Sequence, residues 1–370
     1  MTDPDLWLTP GRDAGPAIDA LVSSYGGRRA GVAGLVAALP HEGRRLRRTL
    51  SPGLAARRSW TWQGPDRRDP RWWPQGVTSS ADAAAGAAEA PVPGRVLIIS
   101  WYAKTMPGDP TPPGNQGSRI SVVDLEARRY DHVLLVRAQA DGSWKPLQVH
   151  AGGIAWVGSW LHVAATAKGF WSARVDDVVE VPAGRRAETF GHRWVLPVRR
   201  GHAAGSGEGV EPLRYSFLSV DASPASPASP ASSAAPAAGP ELVVGEYARG
   251  RRTRRLARFA LTPEGAPVVG DDGRARPLSV HDSGVAGMQG AVVSRGRWHV
   301  TTSHGPWTPG TLVTGASPDA ADPWRPRRWA TPMGPEDLAV WPGDTPADDR
   351  LWTVTEHPRR RWICELRVPR

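Results

Sequence analysis

Short apolar runs alternate with polar positions over most of this chain, and glycine- and proline-rich turns separate the runs. Runs of about four to eight Val, Ile, Leu, Trp and Thr residues bounded by such turns are typical of β-strands. Helical periodicity is weak and confined to the beginning, where Pro16 starts a predicted helix that ends near Gly26 and a second helix is predicted over 31–39. The pattern predicts an all-β protein beyond Trp60, preceded by a short, partly helical extension.

Two stretches of the chain match each other without a gap. They are VHAGGIAWVGSWLHVAAT (149–166) and GMQGAVVSRGRWHVTTS (287–303), aligned so that Gly153 meets Gly290 and His162 meets His299. A related strand pattern occurs in LIISWY (97–102), LHVAAT (161–166), LVVGEY (242–247), WHVTTS (298–303) and WTVTEH (352–357). We interpret the two stretches as copies of one structural unit. Repeated units of several strands predict a β-propeller, and the five copies favour five blades.

The predicted organisation is an N-terminal extension over 1–58 and one propeller domain over 59–370. A strand near Ser59–Gln63 is expected to close the last blade, because closure removes exposed sheet edges. Residues 222–240, ASPASPASPASSAAPAAGP, are of low complexity and cannot form a packed core. Strand-like sequences flank them on both sides, so we interpret them as a disordered insert within one blade. A linker between two domains is the alternative.

An ordered set of segments resembles a known group of proteins. The segments include WWPQGVTSSADA (72–83), LIISWYAK (97–104), GSRISVVDL (117–125), VHAGGIAW (149–156), MQGAVV (288–293) and LWTVTEHPRRR (351–361). This set, over roughly residues 70 to 370, is similar to an uncharacterised family of mostly secreted, β-propeller-like proteins from high-GC bacteria. The resemblance implies a propeller and an extracellular location, and it implies no activity. The chain lacks a clear signal peptide, which favours a cytoplasmic location instead.

Polar residues recur at matching points of the repeat, and a circular arrangement would bring them together at one end of a central channel. The predicted ligand-binding residues are Gln75, Trp101, His150, Glu246, Tyr247, Gln289, Glu336, Glu356 and His357. Amides, carboxylates and histidines in a ring suit a hydroxyl-rich ligand or a divalent cation. The same groups could instead hydrogen-bond exposed backbone where strands begin and end.

We therefore expect a β-propeller binding protein whose channel face takes a small polar or carbohydrate-like ligand or a protein partner. The alternative is a propeller-fold glycoside hydrolase, whose acid and base would come from Glu246, Glu336, Asp337 and Glu356. The sequence contains no HExxH or GxSxG motif, and no glycosidase signature is apparent. No cofactor is predicted, although the channel carboxylates leave room for a divalent cation.

Composition narrows the classes of partner. The net charge of +10 would suit nucleic acid, but the arginine clusters at 44–48, 249–258 and 359–361 are scattered and accompany no nucleic-acid-binding module. The single cysteine, Cys364, cannot form an internal disulfide. No apolar run approaches the roughly 18 residues that a membrane helix needs. We expect a monomer that neither binds nucleic acid nor inserts into a membrane.

Overall fold

The computed structural model describes residues 5–46, 52–85, 91–109, 115–222, 239–319, 321 and 323–369. The N-terminal elements are β1 (Leu6–Pro10), α1 (Gly15–Tyr25), β2 (Arg28–Arg29), α2 (Gly31–Val36), β3 (His41–Glu42) and β4 (Arg44–Arg45). The two predicted helices are confirmed, and Pro16 lies in the first turn of α1, where its missing N–H leaves no hydrogen bond unmade. The short strands of this region pair with sheets of the main body, β1 with β15 (Trp194–Ser206) among them.

Antiparallel strands follow in groups of four. β5 (Ala56–Thr61) and α3 (Gly64–Arg68) come first. The first group is β6 (Trp72–Ser79), β7 (Val96–Ala103), β8 (Ser118–Asp124) and β9 (Arg129–Ala138), with α4 (Ser80–Ala83) after β6 and β10 (Trp144–Pro146) after β9. The second group is β11 (Ile154–Val157), β12 (Trp160–Ala164), β13 (Phe170–Arg174) and β15, with 3-10 helices at Val175–Asp177 and Ala183–Thr189 and β14 (Val179–Glu180) before β15.

The remaining strands complete three further groups. They are β16 (Phe217–Asp221), β17 (Glu241–Gly245), β18 (Arg255–Ala260) and β19 (Pro277–Asp282); β20 (Met288–Ser294), β21 (Arg297–Thr302), β22 (Thr311–Gly315) and β23 (Arg325–Arg327); and β24 (Pro335–Trp341), β25 (Arg350–Thr355) and β26 (Trp362–Arg367). β5 pairs with β26, with Ser59 opposite Cys364, so a strand from the N-terminal side completes the last group. This closing strand begins at Ala56 rather than at Ser59.

The first strand of each group lies on the inside of the molecule. β6 contacts β11, β11 contacts β16, β16 contacts β20, β20 contacts β24, and β24 contacts β6, so these strands form a closed ring. The β-propeller predicted from the repeat is confirmed by this arrangement. The number of blades stays a prediction, and the ring of inner strands favours five. No helix within the described residues is long and apolar enough to span a membrane.

The glycines of the sequence repeat lie where inner strands come closest. A Cβ atom added at Gly153 of the second group would overlap the backbone of Phe217 and Leu218 in β16. A Cβ atom at Gly290 in β20 would lie 2.5 Å from the Cα of Asp337 in β24, closer than real side chains approach. Glycine at these positions therefore allows adjacent inner strands to pack at the centre of the ring.

Residues 222–240 connect two strands that pair with each other. β16 and β17 are antiparallel neighbours, with Asp221 directly opposite Glu241. The segment therefore joins adjacent strands of a single sheet. Residues 223–238, which carry most of the predicted disordered insert, lie outside the described residues.

Candidate functional site

A central cavity of about 400 Å³ lies at one end of the ring of inner strands. Its wall forms where the first strand of a group begins and the second strand ends, because antiparallel neighbours bring these two points together. The lining residues are Gln75, His150, Gly152, Thr166, Arg214, Ser216, Phe217, Tyr247, Arg252, Gln289, Glu336 and Glu356. Residues far apart in sequence thus face one cavity.

Six of the predicted site residues line this cavity: Gln75, His150, Tyr247, Gln289, Glu336 and Glu356. Gln75, Gln289 and Glu336 occupy equivalent places near the starts of β6, β20 and β24. Glu356 directly follows β25, and Tyr247 follows β17. The repeat therefore places chemically similar side chains around one opening, as a ring of inner strands requires.

Glu356 is held in place by neighbouring polar groups. The Nε2 of Gln75 donates to Glu356 Oε2 at 3.0 Å and to the carbonyl oxygen of Pro74 at 2.9 Å. Glu356 Oε1 lies 3.6 Å from the Nε2 of His357. His357 is not among the lining residues, and its ring packs edge-on against Trp73 with centroids 5.5 Å apart. His357 thus borders the cavity through Glu356.

The two cavity carboxyl groups have different electrostatic surroundings. Burial raises the pKa of Glu336 well above its usual value, and the nearby carboxyls of Glu356 and Asp337 raise it further. Burial also raises the pKa of Glu356, but the hydrogen bond from Gln75 and the positive charge of Lys104 oppose the rise. Glu336 therefore holds its proton more tightly than Glu356 does, and Glu356 more readily carries negative charge.

His150 contributes a neutral ring to the cavity. Partial desolvation of the ring, together with the positive charge of Lys104, lowers the pKa of this histidine, although the residue is exposed at the surface. The ring also packs on Tyr102, with centroids 4.4 Å apart. A neutral imidazole has one donor and one acceptor nitrogen, so His150 can hydrogen-bond a hydroxyl group in either direction.

Three predicted site residues are placed elsewhere by the structure. Glu246 is fully buried, and its carboxylate accepts hydrogen bonds from Arg255 Nη2 at 2.8 Å and from the backbone N–H of Arg214 at 3.0 Å. It pairs with arginine in the protein interior, whereas the next residue, Tyr247, reaches the cavity. Successive side chains of an extended chain point to opposite sides, which explains the difference.

Trp101 and Asp337 are also interior residues. Trp101 is fully buried and packs edge-on against Trp62, with ring centroids 4.8 Å apart. Asp337 is fully buried next to Glu336, and its Oδ1 accepts the backbone N–H of Leu338 at 2.9 Å. Burial raises the pKa of Asp337 well above its usual value. Neither residue lines the cavity, so the structure does not support Trp101 as a ligand contact or Asp337 as an acid or base of the site.

Several lining residues were not predicted from the sequence, including Arg214, Ser216, Phe217 and Arg252, whereas Thr166 lies at a point of the repeat that the sequence marks as a candidate. Ser216 and Phe217 lie at the start of β16, the same position in the group as Gln289 in β20, so the repeat could have identified them. Arg252 lies in the connection between β17 and β18, outside the strand segments that the repeat aligns, so the repeat gave no signal for it. Arg214 places a positively charged side chain in the cavity wall, and its Nη2 donates to the carbonyl oxygen of Thr253 at 2.7 Å.

The residues available for a metal ion are few. Within the described part of the chain, no three His, Cys, Asp or Glu side chains are grouped so that they could hold a metal ion. A divalent cation in the cavity would need the carboxylates of Glu336 and Glu356 supplemented by the amide oxygens of Gln75 and Gln289. The divalent cation therefore stays a prediction from the sequence.

No protein-family description matches this chain, and no curated protein is significantly similar to it. Among solved structures, the GH43_1 enzyme from Xanthomonas citri complexed with xylose is similar over 95% of this chain and 93% of that chain, with 12% identity and a TM-score of 0.37. CoXyl43, a β-xylosidase/α-arabinofuranosidase from a compost microbial metagenome, is similar over 80% of this chain and 91% of that chain, with 10% identity and a TM-score of 0.37. The Malassezia sympodialis allergen Mala s 1 is similar over 80% of this chain and 78% of that chain, with 12% identity and a TM-score of 0.30. Similarities this distant carry no argument about the activity of this protein.

Proposed function

We propose that the central cavity binds a small, hydroxyl-rich, carbohydrate-like ligand. The observation that carries this proposal is the convergence of amide, carboxyl and phenol groups from different strand groups on one cavity. Sugar hydroxyls both donate and accept hydrogen bonds, and Gln289 and the protonated form of Glu336 offer both functions, while the Oε1 of Gln75 offers an acceptor. A cavity of about 400 Å³ is also within the range of small-molecule sites, which runs from about 300 to 1,000 Å³.

Tyr247 adds apolar surface to this polar set. It lines the cavity and keeps 38% of its surface exposed, whereas the ring of Phe217 is buried in the core. An aromatic ring at a wet site can pack against the C–H face of a sugar while hydrogen bonds hold its hydroxyls. The mixture of aromatic and two-way polar groups therefore suits a sugar better than a purely apolar or purely charged ligand.

The proposal is tested by screening the protein against a glycan array and measuring affinity for the best glycan by titration calorimetry. Gln289→Ala removes one cavity amide and should weaken binding about tenfold, the loss expected for one hydrogen bond of about 1.5 kcal/mol. Gln139→Ala is the matched control, because Gln139 lies outside the cavity and donates to the carbonyl oxygens of Arg137 and Ala138. Absence of any glycan binding, or equal affinities for the wild type and Gln289→Ala, would contradict the proposal.

A second candidate, glycoside hydrolysis, is favoured by the unequal surroundings of the two cavity carboxyls. Glu336 with its raised pKa would act as the general acid, and Glu356, positioned by Gln75, would act as base or nucleophile. Glu336→Gln and Glu356→Gln separate the two candidates, because glutamine keeps size and hydrogen bonding but cannot transfer a proton. A hydrolase should lose nearly all turnover of chromogenic glycosides in both variants, while a binding protein shows no turnover and keeps appreciable affinity.

A further inference from the structure

A second cavity of about 620 Å³, here called the flank cavity, lies away from the central cavity on the side of the first strand group. Its wall includes residues of β6, β8 and β9 and the segment that follows the 3-10 helix Ala183–Thr189. The charged lining residues apart from histidine are Arg71, Arg119, Arg186, Arg193, Asp69 and Asp131. Arginines thus outnumber carboxylates on this wall.

The two lining carboxylates already accept hydrogen bonds from the protein. Asp131 Oδ2 accepts the indole N–H of Trp194 at 2.9 Å, and its Oδ1 accepts the backbone N–H of His132 at 2.8 Å. Asp69 Oδ1 accepts the backbone N–H of Arg71 at 2.7 Å. These acids therefore stabilise the local backbone and side chains, and they do not neutralise the lining arginines by direct pairing.

Two of the four lining arginines are paired with acids beyond the wall. Arg71 donates to both carboxylate oxygens of Asp109, at 2.6 and 2.8 Å. Arg193 donates to Glu180 Oε1 through its Nε at 2.9 Å and its Nη2 at 2.7 Å. Charge-assisted pairs of this kind satisfy the guanidinium groups, which leaves Arg119 and Arg186 to be explained.

Arg119 is the better buried of the remaining two arginines. It is only 5% exposed, and its guanidinium lies 4.4 Å from the ring centroid of Trp72 and 4.8 Å from that of Trp101. Its buried Nε and Nη2 have no hydrogen-bond partner among the described residues. Asp66 Oδ1 is 3.7 Å from Nη2, but Asp66 also accepts the hydroxyl of Tyr130 at 2.6 Å.

Further charged or titratable groups of the flank cavity are Arg186 and the histidines His132 and His192. The buried Nε of Arg186 also has no hydrogen-bond partner within the described ranges. Burial, and next the positive charge of Arg119, lower the pKa of His132 and of His192. Both rings are therefore neutral around pH 7 and leave the positive charge to the arginines. The wall presents unused cationic donors and carboxylates that are already engaged.

We infer that the flank cavity binds a small oxyanion, a carboxylate or phosphate group, through Arg119 and Arg186. Acceptor oxygens of such a group are what guanidinium N–H groups without a hydrogen-bond partner require, and arginine binds both kinds of oxyanion well. Phe190, which is 44% exposed, provides apolar surface beside the arginines, so the anion can belong to a larger organic molecule. This site is independent of the function proposed for the central cavity.

Titration calorimetry with inorganic phosphate and with acetate, at an ionic strength held constant with sodium chloride, tests this inference. The wild type should show saturable one-site binding to at least one of the two anions. Arg186→Gln should weaken that binding about tenfold or more, the loss expected when a hydrogen bond to a charged group is removed. Arg57→Gln is the matched control, because Arg57 is an exposed arginine of β5 outside the cavity. The Arg57→Gln variant should bind the anion with the affinity of the wild type.

Arg119→Gln provides a second variant that should lose binding, with circular dichroism used to check that it folds. If this buried substitution unfolds the protein, Arg186→Gln still decides the question. Saturation by phosphate alone assigns a phosphate group, and saturation by acetate alone assigns a carboxylate. The inference is overturned if neither anion binds saturably, or if Arg57→Gln weakens binding as much as Arg186→Gln does.

Discussion

Glu336 and Glu356 face the same cavity, yet they differ in the polar groups that surround them. Glu356 accepts a hydrogen bond from Gln75 and lies in the field of Lys104, whereas the charges that act on Glu336 are those of other carboxyls. Spacing along the chain identified both residues, because each lies at a repeated point of the strand pattern. Their different proton affinities depend on neighbours from other strand groups, and those neighbours were not visible in the sequence.

The raised pKa of Glu336 predicts a pH dependence of stability. A carboxyl group with a higher pKa in the folded protein favours folding at low pH, and this contribution is lost as pH rises through the folded-state pKa. Because the ordinary pKa of glutamate is 4.5, the loss should begin above about that pH. Glu336→Gln resembles the protonated side chain and removes the effect, so its stability relative to wild type should increase from pH 4.5 towards pH 8.

Urea unfolding of both proteins at several pH values measures this difference directly. The two free energies of unfolding should separate progressively in favour of Glu336→Gln as pH rises. A constant difference over the whole range would show that Glu336 has the same proton affinity in the folded and unfolded chain.

Glu246 illustrates a residue that sequence spacing assigned to the site but that the structure places in the interior. Removing its carboxylate in Glu246→Ala leaves the buried guanidinium of Arg255 without its partner, and breaking a buried pair in this way costs about 3–5 kcal/mol. We expect a loss of that size in the free energy of unfolding. Glu208→Ala, at an exposed position, is the control and should change stability by less than about 0.5 kcal/mol. Equal stabilities of the two variants would show that the Arg255 pair is not formed.

At the scale of elements, the sequence predicted strands better than it predicted which side of a strand faces the cavity. The glycine positions of the repeat were recognisable because close packing of inner strands demands the same residue in different groups. The directions in which the side chains of Glu246 and Tyr247 point were not recognisable from the sequence. Both residues follow the end of β17, where regular strand alternation could not be assumed. The flank cavity was not predicted, since Arg119 and Arg186 lie in different groups and share no motif.

The packing of inner strands gives a test at this scale. Gly153→Ala places a methyl group against the backbone of Phe217 and Leu218, which cannot move aside as a flexible side chain would. Overpacking of this kind costs about 1–3 kcal/mol, and we expect a matching fall in the free energy of unfolding. Gly184→Ala is the control, because a Cβ there meets no atom within 4 Å. A Gly153→Ala protein as stable as Gly184→Ala would contradict the close approach of β16 to this glycine.

At the scale of the whole molecule, β5 and β26, which are far apart in the sequence, pair in one sheet and close the propeller. Because the strand groups are arranged in a circle, equivalent positions of the sequence repeat lie around one cavity. The sequence could therefore predict many of the cavity residues. The parts it could not predict are those contributed by loops, such as Arg252, whose positions depend on the assembled ring.

The connection over 222–240 should contribute little to the stability of this ring. Asp221 and Glu241 are directly paired, so a short turn can join them, and halving a flexible loop changes its closure free energy by only about 0.6 kcal/mol. We expect a chain with a shortened connection to melt within a few degrees of the full chain in calorimetry. A large cooperative loss of stability would show that the connection packs against the propeller.

The central claim is that the cavity within the ring of inner strands is a carbohydrate-binding site. The most direct measurement is a crystal structure of the wild-type protein soaked with the glycan that the array and calorimetry select. The account predicts electron density for a sugar in the central cavity, with its hydroxyl groups within hydrogen-bonding distance of Gln75, Gln289 or Glu336. Density for the sugar elsewhere on the protein, with the central cavity holding only solvent, would contradict it.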